Sequence, residues 1–378
     1  MKKVYWRPQS LPLSANVFIA CFALVGLIAA ETLQITVRQP YYAEKLAAAR
    51  LASEAMEAIR FERLGRGLNI DPETDPAQSG LIGALVTPVT SDVGDLQAKQ
   101  TTINPNFAAV VVDLLMKSGV KEGDKVAVGF SGSFPALNIS VCAALATLKL
   151  RPTIISGASG SQWGANDPDF LWIDMEYLLY KKGLFPFRSV ASSIGGRSDR
   201  GKEMTEKGRE LVLQAVKRNG LGMIEAKTIR ENIDARMSVY LKDRSPVVFI
   251  NVGGGVASAG TRPYKIFLKP GVISQEQSLP KDMDSVILRF LREEVPVIHL
   301  GNIGRLAGLY GLPVAPSDMP EAGEGSIYLK REYNRWLAAG ILIGISFCLY
   351  FFVRSDRGFR MMHTVSREED QGPPELMI

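Results

Sequence analysis

Two long runs without charge dominate the hydrophobic pattern, one near each end of the sequence. Residues 11–30 read LPLSANVFIACFALVGLIAA, and residues 336–353 read WLAAGILIGISFCLYFFV. Each run is about as long as the hydrocarbon core of a bilayer requires and is apolar on every side. The pattern predicts a transmembrane helix in each run. The alternatives are a cleaved signal peptide for the first run and a buried core helix for the second.

Basic residues beside these runs predict the topology, because positive charge is retained on the cytoplasmic side of a membrane. The outer flanks carry Lys2, Lys3, Arg7, Arg354, Arg357 and Arg360. Residues 1–10 and the polar tail 354–378 are therefore predicted to be cytoplasmic, and the large part between the runs extracytoplasmic. Three basic residues at the inner end of the second run oppose this assignment: Lys330, Arg331 and Arg335.

Residues 31–103 are predicted to form a juxtamembrane helix followed by an irregular connection. Residues 41–65 are rich in Ala, Glu and Leu, which predicts a long helix. We expect this helix to hold the globular part away from the membrane. Residues 66–103 carry Pro, Gly, Asp and Thr with little periodicity, which is typical of a connection.

From residue 104 to residue 330, short apolar segments alternate with amphipathic ones. The apolar segments KVAVGF, PTIISG, FRSVASSIGG, SPVVFINVGGG and VPVIHLG are predicted strands. Nearly continuous apolar strands separated by helices are typical of a parallel sheet that is covered on both faces. The sequence therefore predicts an α/β domain with a mostly parallel, doubly wound sheet flanked by helices.

Composition excludes several classes of function. The chain has 44 basic and 39 acidic residues and no basic stripe interleaved with aromatics, so no nucleic-acid partner is predicted. Cys21 and Cys348 fall in the apolar runs and Cys142 stands alone, so no disulfide is predicted within the domain. With His299 and His363 as the two histidines, no zinc site of common spacing is predicted. No nucleotide-binding loop of known spacing occurs, and we expect no cofactor.

The predicted strands end in small polar residues, as in GFSGS, SGASGSQWGAND, SSIGGRSDRG, NVGGGVASAG and LGNIGR. In a parallel sheet these ends lie at one edge, where ligands bind at the topological switch point. Glycine amides, helix N-termini and arginines favour an anion there. The alternative is that these loops are ordinary glycine-rich turns. The candidate ligand-binding residues are Ser131, Gly132, Ser133, Asn138, Ser159, Ser161, Arg197, Ser198, Asp199, Arg200, Gly253, Gly254, Gly255, Asn302 and Arg305.

The stretch GFSGS also approximates the nucleophile elbow G-x-S-x-G, with Ser131 at the nucleophile position and Ser133 where the last glycine belongs. A serine hydrolase needs a base, and His299 is the histidine that the domain offers. Ser131 and His299 are therefore the candidate catalytic pair. The alternatives are that Ser131 is one donor in an anion-binding turn and that His299 is packed in the core.

The two apolar runs, together with GFSGSFPALN, SGASGSQWGANDP and NVGGGVASAG, resemble the bacterial family of poly-gamma-glutamate system proteins over roughly residues 10–355. The resemblance implies a two-pass protein of the bacterial cell (inner) membrane. It also implies association with other membrane subunits that make or export this capsule polymer. The polymer carries one free carboxylate per unit, which suits an anion-binding cleft.

Three hypotheses follow from these observations. The first is an accessory component of polymer synthesis or export that holds the anionic polymer in the cleft. The second is an extracytoplasmic hydrolase or amide-transfer enzyme that acts through Ser131. The third is a structural assembly protein that docks other subunits through small residues of the second run, namely Ala338, Ala339, Gly340, Gly344 and Ser346.

Overall fold

The structure is a computed structural model that describes residues 13–261, 265–274 and 283–354. It divides into two units, one formed by Arg38–Tyr328 and the other by the flanking segments Met1–Val37 and Leu329–Ile378. The predicted cytoplasmic segment 1–10 lies outside the described residues, and so does the predicted tail beyond Arg354. The basic residues at positions 2, 3, 7, 357 and 360 belong to these segments.

Helices and short strands alternate along most of the chain. The first elements are α1 (Leu13–Thr32), β1 (Ile35–Arg38), α2 (Tyr42–Gly65), α3 (Leu96–Thr102), α4 (Phe107–Lys117), β2 (Lys125–Ser131), α5 (Pro135–Thr147) and β3 (Arg151–Gly157). Next come β4 (Asn166–Asp167), β5 (Phe170–Leu171), α6 (Trp172–Lys181), β6 (Ala191–Ser193), a 3-10 turn (Arg197–Asp199), α7 (Glu206–Arg218), β7 (Gly222–Met223) and α8 (Ile229–Tyr240). The last are β8 (Val248–Val252), α9 (Val256–Ala259), β9 (Gly271–Ile273), α10 (Val286–Arg292), β10 (Val297–Leu300), α11 (Ile303–Tyr310), β11 (Leu329–Glu332) and α12 (Arg335–Arg354).

The terminal unit contains the two apolar helices, α1 and α12, which lie antiparallel to each other. The Phe18 and Phe352 rings are 5.9 Å apart at one end of the pair. At the other end the Tyr333 hydroxyl donates to the Glu31 carboxylate over 2.7 Å. The chain therefore enters and leaves this pair at the same end. By length and composition, both helices are able to cross a membrane.

The other unit is built on a seven-stranded sheet in the order β7-β6-β3-β2-β8-β10-β9. Neighbouring strands run parallel except for β9, which is antiparallel to β10. The central strands β2 and β8 are buried over nearly their whole length, as their continuous apolar sequences require. The predicted α/β class and the mostly parallel sheet are confirmed.

Side chains of the central strands alternate between two hydrophobic cores, one on each face of the sheet. Val126 and Val128 belong to the core that includes α2, α4 and α5. Ala127 and Phe249 belong to the core that includes α8 and α10. Helices therefore cover both faces of the sheet.

The helix predicted over residues 41–65 is confirmed as α2, but it is not a spacer. Four of its alanines, at positions 48, 49, 52 and 55, are buried together with Met56 and Ile59, and the helix packs against α4 and α5. Alanine side chains let helices approach closely, so an alanine-rich face serves a packed helix as well as an exposed one. The compact unit consequently begins at Arg38 rather than at residue 104. The predicted irregular connection also contains the short helix α3.

Three strands of the seven-stranded sheet differ from the prediction. Strand β6 has three residues, whereas the sequence predicts a ten-residue segment. Strands β7 and β9 are not predicted, since two or three residues carry no alternation that a pattern can show. The sheet order places β3, β6 and β7 on one side of β2, and β8 and β10 on the other. The switch point therefore lies between the carboxyl ends of β2 and β8.

A buried carboxyl group ties the segment before β6 to α6. Glu176 accepts hydrogen bonds from the backbone and the hydroxyl of Ser189, each over 3.0 Å. The Ser189 hydroxyl lies 2.7 Å from that of Ser156 on β3. Burial raises the pKa of Glu176 from its ordinary value of 4.5 to about 7, and the hydrogen bonds from Ser189 oppose this shift.

We predict that Glu176→Gln removes a pH dependence of folding stability. The folded state retains the Glu176 proton more strongly than the unfolded state, so its contribution is complete below about pH 4.5 and is lost as pH rises through about 7. The free energy of unfolding of Glu176→Gln relative to the native chain should therefore increase by up to about 3 kcal/mol between these pH values. Thermal and denaturant unfolding at several pH values measures this difference. The exposed Glu210→Gln is the matched control, and an equal slope in both variants would contradict the assignment.

Candidate ligand-binding site

A cleft of about 570 Å³ lies at the switch point, where the strands of the sheet end. Most of its lining residues come from five segments of the chain, 91–99, 129–134, 157–161, 195–199 and 251–258, and the others are Arg236, Thr261 and Lys265. Four of these segments are strand-end loops that the sequence singled out. The remaining segment, 91–99, contains the start of α3, and sequence patterns did not indicate that it belongs to a site. We call this space the switch-point cleft.

The fifth predicted loop, LGNIGR, lines a second cleft of about 640 Å³. Asn302, Arg305 and His299 belong to this second cleft, and Gly254 lines both. Asn302 uses its side chain to accept a hydrogen bond from the Arg305 amide at the start of α11. The structure therefore distributes the predicted site residues over two clefts.

The turn after β2 is a tight corner with serines on its cleft side. The Ser131 hydroxyl accepts from the Ser133 amide over 3.2 Å, and Asn138 donates to the Ser131 carbonyl over 2.9 Å. The Gly132 amide donates to the Gly157 carbonyl over 3.0 Å. A Cβ atom at Gly132 would stand 2.8 Å from the Ser159 carbonyl oxygen, so glycine is required for this close approach. Ser131 and Ser133 line the cleft, whereas Gly132 and Asn138 shape the turn.

Lys99 on α3 is a lining residue that sequence reasoning missed. Its ammonium donates to the Ser133 carbonyl and, over 2.8 Å, to the Ser161 hydroxyl. It also lies 4.0 Å from the centre of the Phe134 ring. Only 2% of Lys99 is exposed, and it has no ion pair with any of the residues that the structure describes. Burial lowers its pKa to about 7, against an opposing effect of Asp95.

The loop after β3 supplies two buried serines. The Ser161 amide donates to the Ser133 hydroxyl over 3.0 Å, which joins this loop to the turn after β2. Ser159 is 2% exposed and lines the cleft, and its hydroxyl has no hydrogen-bond partner among the described residues. A buried polar atom without a partner is uncommon in folded proteins, and its occurrence on a residue that lines a cleft makes this residue a candidate for ligand binding.

The loop after β6 contains an ion pair that sequence patterns did not indicate. Asp199 accepts from the Arg236 guanidinium over 2.6 Å and from the Ser193 hydroxyl over 2.8 Å. Arg236 lies on α8 and is 3% exposed, so the pair fixes the loop from inside the domain. Asp199 and Ser198 line the cleft, but the carboxylate of Asp199 is committed to Arg236.

The two arginines predicted in this loop have different positions. Arg197 is exposed and lines the switch-point cleft. Arg200 is exposed as well, but its guanidinium donates to the Lys227 carbonyl over 2.9 Å and it is not among the residues that line this cleft. Arg197 begins the 3-10 turn and Arg200 follows its last residue, so the turn lies between the two side chains.

The structure does not join the predicted catalytic pair. Ser131 lines the switch-point cleft and His299 lines the second cleft. The His299 Nδ1 atom lies 3.0 Å from the Asn251 side-chain amide. Asn251 also donates to the Gly253 carbonyl, so its amide nitrogen is the donor and Nδ1 the acceptor. Burial, with the nearby charge of Lys265, lowers the pKa of His299 to about 4, which makes it a weak base.

The three glycines after β8 are distributed over the two clefts. Gly253 has a φ of 80° and donates to the Leu300 carbonyl over 3.1 Å, so it turns the chain away from the sheet. Gly253 lines the second cleft, and Gly255 lines the switch-point cleft. Within the described ranges, no group of three or more His, Cys, Asp or Glu side chains is arranged to hold a metal ion.

Comparison with other proteins adds nothing to this geometry. No known protein family, curated protein or solved structure matches the chain. The chemistry of the cleft is therefore read from its own residues. Buried Lys99, which contacts the Ser133 carbonyl and the Ser161 hydroxyl, and exposed Arg197 both line the cleft.

We predict opposite effects on stability for two serine substitutions in this loop. Ser159→Ala removes a buried hydroxyl that has no partner among the described residues and should leave the free energy of unfolding unchanged or raise it. Ser161→Ala removes the hydroxyl that Lys99 contacts and should lower the free energy of unfolding by about 1–3 kcal/mol. Denaturant unfolding of both variants measures the difference. A larger loss for Ser159→Ala than for Ser161→Ala would show that the hydroxyl assignments are wrong.

Proposed function

We propose that this protein is a membrane-anchored component that binds a carboxylate group of an anionic polymer in the switch-point cleft. Poly-γ-glutamate is the polymer that the sequence resemblance favours. One observation carries the proposal: Ser159, whose buried hydroxyl has no partner among the described residues, lines the same cleft as Lys99. A carboxylate accepts hydrogen bonds from both kinds of donor.

The charges around the cleft favour one carboxylate at a time. Lys99, Arg197 and Lys265 bring positive charge to the lining, and Asp199 offsets the charge of Arg236. Asp92 and Asp95 are exposed at the rim, where they repel further carboxylates of a long polyanion. The arrangement therefore suits a chain end or a single side chain better than a strand of polymer laid across the opening.

The proposed location follows from α1 and α12. Two helices that are long and apolar enough to cross a membrane flank the α/β unit in the sequence. Together with the basic outer flanks, they support a two-pass protein of the bacterial cell membrane with both ends in the cytoplasm. The α/β unit would then lie outside the cytoplasm, where an exported polymer passes.

An assembly role has separate support from α12. Gly344 packs against Phe22 of α1. A Cβ atom at Gly340 would meet nothing within 4 Å, and its neighbours Ala338 and Ala339 are exposed. Small residues on an open helix face permit close approach of another helix in a membrane. Other subunits of a polymer-exporting complex are the partners that this face would suit.

We predict that Arg197→Ala weakens the binding of short γ-linked glutamate oligomers by about tenfold, since the contact is charge-assisted. Arg200→Ala is the matched control and should leave the dissociation constant unchanged, because Arg200 is held by Lys227. Ser159→Ala should also weaken binding although it does not destabilise the fold. Titration calorimetry on the detergent-solubilised full chain measures these constants. Equal binding by Arg197→Ala, Ser159→Ala and the native chain would remove the switch-point cleft from the proposal.

We predict that a cysteine at position 317 reacts with a membrane-impermeant thiol reagent in intact cells. Ser317 is exposed in the α/β unit. The background is Cys21→Ser with Cys348→Ser, since Cys142 is buried. Ser366→Cys, in the predicted cytoplasmic tail, is the control and should react only after lysis. The reverse pattern would place the α/β unit in the cytoplasm.

A further inference from the structure

Lys99 and Ser161 form a hydrogen-bonded pair inside the switch-point cleft. The Nζ atom of Lys99 lies 2.8 Å from the Oγ atom of Ser161, which is the distance that a nucleophile and its base require. Both residues line the cleft, and 7% of Ser161 remains exposed. The two residues come from α3 and from the loop after β3, which are 62 positions apart in the sequence.

We propose that Ser161 is a nucleophile and that Lys99 is its general base, so that the switch-point cleft is the active site of an acyl-transfer enzyme acting on amides or esters. This activity differs from the hydrolase that the sequence predicted, which used Ser131 and His299. The structure gives Ser161 the hydrogen-bonded base that Ser131 lacks among the described residues.

Lys99 differs from a lysine that only stabilises a fold. Lys45 is equally buried, but its ammonium pairs with the Asp113 carboxylate over 2.8 Å. Lys99 instead contacts a carbonyl, a hydroxyl and the face of an aromatic ring. None of these groups compensates a full positive charge as a carboxylate does, so the neutral amine is accessible near neutral pH. A neutral amine accepts the proton of a serine hydroxyl.

The reaction begins when Oγ of Ser161 attacks the carbonyl carbon of the substrate and its proton passes to Nζ of Lys99. The carbon–nitrogen or carbon–oxygen bond of the tetrahedral intermediate then breaks, and the proton on Lys99 departs with the amine or alcohol. The acyl group remains on Ser161 as an ester. Water attacks this ester, Lys99 accepts a proton from the water, and that proton returns to Oγ of Ser161 as the acid leaves.

In the proposed reaction the oxyanion is assigned to the Ser159 hydroxyl. It lies two residues before Ser161, lines the same cleft and has no other partner among the described residues. A preorganised hydroxyl donor of this kind stabilises the developing negative charge of the intermediate. The substrate class, an amide or ester that carries a carboxylate, rests on the proposed function. In this reaction Arg197 alone holds that carboxylate, because Ser159 and Lys99 act on the reacting carbonyl group. The roles of Ser161 and Lys99 do not rest on the proposed function.

A fluorophosphonate probe tests the nucleophile without any assumption about the ligand. The detergent-solubilised full chain is treated with the probe across neutral pH, and the adduct is located by peptide mass spectrometry. We expect an adduct on Ser161, with a labelling rate that rises with pH to a plateau around a midpoint near 7, as Lys99 loses its proton. Lys99→Met should lower the rate by on the order of 10²-fold or more. Lys149→Met and Ser238→Ala, both exposed and remote from the cleft lining, are the matched controls.

An adduct on Ser161 that Lys99→Met suppresses supports the proposal. No adduct on the folded native chain, an adduct on Ser131, or a Ser161 adduct that Lys99→Met does not affect overturns it. If Lys99→Met does not fold, the pH profile of the native chain decides: a midpoint within about one unit of 7 supports Lys99 as the base, and a rate without such a midpoint overturns it. Binding of glutamate oligomers is measured separately. A failure of the labelling experiment therefore does not count against polymer binding, and a failure to bind the oligomers does not count against the roles of Ser161 and Lys99.

Discussion

The burial of one ammonium group shapes the site of this protein. Lys99 holds together three elements that are distant in the sequence: helix α3, the turn after β2 and the loop after β3. Removing a charge from water is costly unless other groups compensate it, and here the compensation is partial. The sheet and its two cores supply the stability that keeps this group buried. The free energy lost by burying Lys99 is therefore offset by the stability of the rest of the fold.

The parallel geometry of the sheet explains why sequence patterns located the cleft. Parallel strands end at one edge, so small polar residues after each strand must meet there. The sequence predicts that five loops meet, and four of them line one cleft while the fifth lines its neighbour. The difference follows from the sheet order, because β10 lies beyond β8 and is not a neighbour of β2. No local pattern in the sequence shows which of two neighbouring clefts a glycine-rich loop lines.

The parts of the site that sequence did not reveal are those that depend on distant contacts. Lys99 lies in a segment of irregular composition, and no residue near it in the sequence indicates that it contacts Ser133 or Ser161. Arg236 has the appearance of an ordinary polar residue on a helix, but its partner Asp199 is 37 positions away. Arg197 and Arg200 look equivalent in the sequence and differ only through the turn between them. The alanine-rich α2 was misjudged for a related reason, because small side chains are compatible with both exposure and close packing.

The junctions between the two units determine how the α/β unit is attached. It is an insertion, joined to the apolar helices at Val37–Arg38 on one side and at Tyr328–Leu329 on the other. When both helices are held in a membrane, a protease that cuts one junction leaves the unit connected through the second. If the α/β unit lies outside the cytoplasm as proposed, its release into the medium would require two cleavages, whereas a single cleavage releases a domain that has one anchor.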